Sequence, residues 1–290
     1  MKNILLLTLF VTFFSITVTA QLSDTIITPT DLQTTQASVK NKTVYKIKPW
    51  VDIPVTVVLD GYSFYGMSVI YGRDPIPESV ILALNKNSVN SFDRPITNNY
   101  SVKAKNSSDL FFYGSMPVPL LLLLDKKIRK DGLQVGLLLL EAMGTTGALY
   151  TSSAMIVNRY RPYAYNSDVP MSIRTSGGTK NSFFAGHPAL VATATFFTAK
   201  VYCDYHPNMK NKWILYTIAG GAAAATGLLR MQGGQHFRSD VITGVSIGTL
   251  VGILVPHLHK NKSFNSSKLT LLPNIQNGST GFTAFYKLGK

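Results

Sequence analysis

The sequence predicts an all-α fold: a helical bundle of about six mostly apolar helices, with a short C-terminal β-hairpin or tail. Three observations carry that expectation. Hydrophobic residues make up 46% of the 290 and charged residues only 14%, well below the quarter usual in soluble domains, and mean hydropathy is positive at +0.14. Six apolar runs follow one another at residues 50–71, 110–124, 132–157, 188–202, 213–229 and 241–257. The third and the last three are apolar on nearly every face, which marks helices buried in protein or facing lipid.

Taken in order, the chain opens with MKNILLLTLFVTFFSITVTAQ, a short basic start at Lys2 followed by an apolar run and small residues up to Ala20. This reads as a secretory signal peptide over residues 1–20, with an uncleaved anchor helix as the alternative. Residues 21–48, rich in Thr, Ser, Gln and Lys, read as a polar leader without a packed core. The helical domain then occupies 49–262. Its first run is interrupted by Pro54 and Asp60, and its second is short for a membrane span. A polar stretch over 72–109 separates these two, with room for a short helix near 77–84. The small residues AGGAAAATG at 219–227 allow close helix approach. In the tail, 263–290, Asn277-Gly278 between two alternating runs signals a hairpin.

The formal net charge of +14 is not gathered on one face or arm, as nucleic-acid binding requires. It falls in clusters beside the apolar runs: Lys126, Lys127, Arg129 and Lys130; Lys210 and Lys212; Lys260 and Lys262. Such placement suits membrane anchoring and anionic headgroups, so a membrane, and not nucleic acid, is the expected partner. If all three clusters face the cytoplasm, the loops holding Arg161, His187 and His236 face the other side. A cleaved signal peptide followed by six spans reverses that assignment. It is restored by an uncleaved signal, by a first run that does not span, or by a bundle soluble in the periplasm. Cys203 is the one cysteine, so no intrachain disulfide and no cysteine metal cluster is expected.

Three polar clusters interrupt the apolar helices. In NRYRPYAYN, Pro162 forces Arg161 out of helical geometry, so the third helix is expected to end there. In NSFFAGHPAL, Gly186 permits a turn and His187 caps a helix whose free N–H groups favour an anion. In RMQGGQHFRSD, Arg230 ends one helix, and His236 and Asp240 open the next. At four-residue spacing those two side chains share a helical face, which places Asp240 to accept from one imidazole nitrogen and leave the other as a nucleophile. Singly, each cluster also fits a capped helix end or a surface ion pair.

Together the three clusters resemble the type 2 phosphatidic acid phosphatase superfamily, which includes vanadium haloperoxidases and bacterial acid phosphatases. The family pattern is Lys, six residues, Arg-Pro; then Pro-Ser-Gly-His; then Ser-Arg, five residues, His, three residues, Asp. Here these become Ala154, six residues, Arg161-Pro162; then Phe184-Ala185-Gly186-His187; then Leu229-Arg230, five residues, His236, three residues, Asp240.

The resemblance implies a phosphatase acting on a lipid or small-molecule phosphomonoester or pyrophosphate, without metal or other cofactor. Its active site would lie on the periplasmic side of a bacterial inner membrane. His236 would form a phosphohistidine, oriented by Asp240, and His187 would protonate the leaving alkoxide. Arg161, Arg230 and the Gly186 N–H would hold the phosphate oxygens. The chain departs from the pattern at Ala154 and Ala185, where the family carries lysine and serine. Arg159, Arg174 and Lys180 are the candidates to supply the missing charge. Two alternatives stand beside this expectation: a weakened homologue that binds lipid phosphate or acts as a membrane scaffold, and a soluble periplasmic acid phosphatase.

Overall fold

The computed structural model describes residues 43–261, 269–276 and 279–286. The expected signal peptide, most of the polar leader and the Asn277-Gly278 turn lie outside these residues. Among the described residues, six long helices form the body: α1 (Pro49–Tyr71), α2 (Val102–Ser115), α3 (Gly132–Val157), α4 (Gly186–Tyr205), α5 (Lys212–Gln232) and α6 (Arg238–Leu258). Two strands, β1 (Leu269–Gln276) and β2 (Ser279–Tyr286), pair antiparallel with Gln276 opposite Ser279.

Local chemistry explains where these helices depart from the sequence expectation. The second helix begins eight residues earlier than its apolar run, because the Ser101 side chain caps it by accepting from the Ala104 N–H at 3.1 Å. It stops at Ser115, and Pro117 and Pro119 turn the remaining leucines into a tighter 3₁₀ segment, Val118–Leu124. The third helix ends at Val157, four residues before Arg161. Asn158 takes a left-handed conformation there (φ 50°), which asparagine tolerates as a helix stop. The first helix runs unbroken through Pro54. Asp60, its other interruption, packs against the open backbone of Gly144 on α3.

Helix α4 is the buried centre of the bundle and packs most extensively on α6. Gly244, Gly248 and Gly252, one per turn of α6, lie against the backbone carbonyls of Ala185, Ala189 and Thr193. Each lacks a side chain where a Cβ would collide with a carbonyl oxygen, so the two backbones approach to contact. The small-residue run at 219–227 plays a lesser part: Gly221 faces open space, whereas Gly227 takes the Val241 side chain of α6.

The outside of the bundle is apolar, with Trp50 and Leu133 94% exposed. Among the described residues, five segments are long and apolar enough to cross a membrane: Pro49–Tyr71, Val102–Leu124, Gly132–Tyr165, Lys212–Gln232 and Arg238–Leu258. Helix direction sets two unlike ends. The starts of α3 and α5 and the end of α6 carry the basic residues of 126–130, 210–212 and 260. The end of α3, the start of α4, the end of α5 and the start of α6 carry Arg161, His187, Arg230 and His236.

Overpacking the α4–α6 contact should cost about 1–3 kcal/mol. Gly248→Val is expected to lower the thermal midpoint in detergent. Gly221→Ala, which meets no neighbour, should leave it unchanged or raise it slightly.

Candidate active site

His236 does not lie on a helix. It precedes α6, whose first residue is Arg238, and its side chain is 1% exposed. Its Nδ1 lies 2.7 Å from the Ser182 carbonyl oxygen. A carbonyl only accepts, so Nδ1 carries the proton and Nε2 keeps a free lone pair. Burial, followed by the charges of Arg161 and Arg230, holds the imidazole pKa well below its usual value. The ring is therefore neutral at neutral pH, the form a nucleophile needs.

The expected direct bond from Asp240 to His236 is replaced by a relay. Asp240 sits in the first turn of α6, and its carboxylate turns back to accept the Phe237 N–H at 2.8 Å, a helix-start arrangement that pulls it off the imidazole. It also accepts the Ser182 hydroxyl at 2.6 Å and pairs with Arg159. The Asp240 backbone carbonyl takes the Ala185 N–H at 3.0 Å. Asp240 thus fixes Ser182, and the Ser182 carbonyl fixes His236.

The two motif arginines reach the site from different sides. Arg161 is pinned between loops: Nε donates to the Gly178 carbonyl at 3.1 Å and Nη1 to Gln235 Oε1 at 2.9 Å. Arg230, in the last turn of α5, is 3% exposed and pairs through Nη2 with Asp109 Oδ1 at 2.9 Å. Its Nε is buried with no partner. An orphaned guanidinium donor is costly, and a bound oxyanion would satisfy it. His187 lies one residue inside the α4 start, with Ala185 as the cap. It stacks against Phe112 (centroids 4.4 Å apart) with Nε2 3.5 Å from Asp109 Oδ1. Gly186 is the first helical residue, so its N–H has no intrahelical partner. A Cβ there would strike the Tyr150 ring at 2.9 Å.

The three residues expected to offset the missing lysine are committed elsewhere. Arg159 holds Asp93 at 2.8 Å and Asp240, and stacks over the Phe237 ring at 4.2 Å. Burial alone would raise the Asp93 carboxyl. Hydrogen bonds from Ser239, Asn90 and Arg159 outweigh it and hold the pKa at about 2. Arg174 is buried and donates to the Ala164 carbonyl at 3.0 Å. Lys180 lies over Tyr160.

Sequence reasoning missed Asp109, Ser182, Asp93 and Tyr150. The Asn-Ser-Ser-Asp run at 106–109, in the first half of α2 and just ahead of the apolar run at 110–124, was the one available signal for Asp109. Among the described residues, no three His, Cys, Asp or Glu side chains converge as a metal site.

An 83-residue stretch is 34% identical to the lipid A 1-phosphatase of Porphyromonas gingivalis (strain ATCC 33277), covering 28% of this chain. The chain spans 17% of that relative's length. Among solved structures, the transmembrane PAP2-type phosphatidylglycerolphosphate phosphatase from Bacillus subtilis aligns with a TM-score of 0.40 at 22% identity, covering 73% of this chain and 95% of that one. The sequence model of the PAP2 superfamily matches residues 135–264, the span that holds Arg161, His187, Arg230, His236 and Asp240.

Proposed function

We propose that this protein is a phosphoric ester hydrolase that removes phosphate from a membrane lipid through a phosphohistidine on His236. The carrying observation is the 2.7 Å contact of His236 Nδ1 with the Ser182 carbonyl oxygen, which assigns the proton to Nδ1 and leaves Nε2 as the nucleophile. Nε2 attacks phosphorus as the bond to the leaving oxygen breaks, and His187 gives that oxygen its proton. Arg161, Arg230 and the Gly186 N–H take the non-bridging oxygens as charge develops on them. Water then gives a proton to His187 and attacks the phosphohistidine, releasing inorganic phosphate and neutral His236.

Burial, followed by the charges of Arg230 and Arg161, pushes the His187 pKa down to about 2, and Asp109, with Oδ1 3.5 Å from Nε2, is the carboxylate placed to oppose that shift. A lipid substrate is supported by the location of the site at the ends of helices long enough to span a bilayer. The relative named as a lipid A 1-phosphatase makes lipid A phosphate the first substrate to test. The three basic clusters at the opposite end favour the cytoplasm, which supports an active site on the far side of the membrane. A lipid-phosphate-binding protein with weakened turnover is the second reading, favoured by alanine at 154 and 185.

Detergent-solubilised protein should hydrolyse lipid phosphates in preference to soluble phosphomonoesters, in the presence of chelator. His236→Ala should lower turnover by at least about a thousandfold, as expected when a nucleophile is lost. Binding of lipid phosphate without any turnover difference between parent and His236→Ala would favour the second reading. Equal rates on lipid and soluble esters would favour a soluble-type acid phosphatase.

Asp109→Asn removes a negative charge from beside His187 and so disfavours its protonated form. The alkaline limb of the kcat profile is expected to move to lower pH. An unmoved limb would remove Asp109 from the acid's environment.

A further inference from the structure

The position where the superfamily carries its lysine is Ala154, and a guanidinium from a distant part of the chain stands on it. Arg73, just past the end of α1, donates through Nη2 to the Ala154 carbonyl at 3.0 Å and through Nη1 to Asn181 Oδ1 at 2.7 Å. Asn181 is itself fixed, donating to the Ile70 carbonyl at 2.8 Å. The backbone of Arg73 packs directly on Gly177, and the Ile76 N–H donates to the Thr175 carbonyl at 2.7 Å. Both partners of the Arg73 guanidinium are neutral oxygens. Two of the five N–H donors of an arginine are used, and among the described residues no carboxylate pairs with it.

Tyr150 links this cation to the site. It lies one turn before Ala154 on α3, and its ring packs beneath Gly186, next to His187. Its hydroxyl feels the neighbouring Tyr71 and the charges of Arg161 and Arg230. The charge of Arg73 acts on the same hydroxyl. Arg161, Arg230 and Arg73 thus all act electrostatically on Tyr150, and among the described residues the carboxylate paired with one of them is Asp109, on Arg230. Like charges brought together in a half-buried site are stabilised by a counter-anion.

We infer that Arg73 is a phosphate-binding residue of this site, supplying from the end of α1 the positive charge that Ala154 lacks on α3. The inference rests on the phosphatase reading above. It adds that the charge has moved between elements while the space it serves has stayed in place.

The test uses the full chain in detergent, with two readouts: affinity for orthovanadate, a tetrahedral oxyanion, and kcat/KM on a lipid phosphate. Arg73→Gln should weaken vanadate binding about tenfold or more and lower kcat/KM about ten- to a hundredfold, the scale of a lost charge-assisted hydrogen bond. Adding Ala154→Lys to Arg73→Gln should regain at least about tenfold in both. Arg73→Lys, which keeps the charge, should bind vanadate within about tenfold of the parent, and it serves if Arg73→Gln does not fold.

Three results would each overturn the inference. They are Arg73→Gln within twofold of the parent in both readouts, no regain with Ala154→Lys, and equal loss of vanadate affinity in Arg73→Lys and Arg73→Gln. Vanadate binding is measured whether or not the parent turns over. Failure of the phosphatase reading, seen as an inactive parent, is thus separate from failure of this one.

Discussion

The carboxylate of Asp240 is the tie on which the whole site depends. It is fully buried, and each of its bonds reaches a different part of the chain: Arg159 after α3, Ser182 before α4, and the Phe237 N–H at the start of α6. Its own backbone carbonyl receives the Ala185 N–H. A buried carboxylate is tolerable only when paired and fully hydrogen-bonded, so these loops must come together for the charge to be held. Asp93 repeats the device one layer out, accepting from Ser239, Asn90 and Arg159. His236 itself carries no ion pair among the described residues. It hangs from the Ser182 carbonyl, and its orientation is a consequence of the carboxylate network behind it.

The scaffold delivers the loops to that network through backbone contact, not side-chain packing. The glycines of α6 let its backbone lie on the carbonyls of α4, and the first of those carbonyls belongs to Ala185. The same residue therefore caps α4, donates to Asp240 and meets Gly244. A shift of α4 along α6 would move His187 and the Ser182 carbonyl together, because both are tied through this corner. Close packing by glycine is rigid in the sense that matters here: there is no side chain to rearrange if the helices slide.

The sequence made the fold class and the two histidines legible because both are written at short range. Apolar run length gives the helices, and the fixed spacings around Arg161, His187, Arg230, His236 and Asp240 give the motifs. What it misled on was direction. Arg159 and Arg161 are neighbours in the sequence, yet in an extended segment residues two apart need not share a fate once loops fold on either side. One turns to Asp93 and Asp240, the other to Gly178 and Gln235. The four-residue spacing of His236 and Asp240 suggested a shared helical face, but only Asp240 is on the helix. Asp109, Ser182 and Arg73 had no spacing to betray them. Their partners lie far along the chain, and only the packed structure brings them together.

The charge balance around Arg230 makes sense of Asp109. Arg161, Arg230 and Arg73 would leave a strongly positive volume, and one carboxylate partly offsets it by pairing with Arg230. A phosphate dianion entering that volume competes with Asp109 for the same guanidinium. Its gain is greater because it brings more charge and several acceptor oxygens, including one for the orphaned Arg230 Nε. Released from Arg230, the carboxylate keeps two close partners, His187 Nε2 at 3.5 Å and Lys105 Nζ at 3.7 Å. On the proposed function, substrate binding would free Asp109 to favour the protonated form of His187, which burial and the arginines oppose, when a leaving oxygen requires its proton. On that reading the substrate's own charge would help assemble the acid, and a carboxylate beside Arg230 need not exclude the anion.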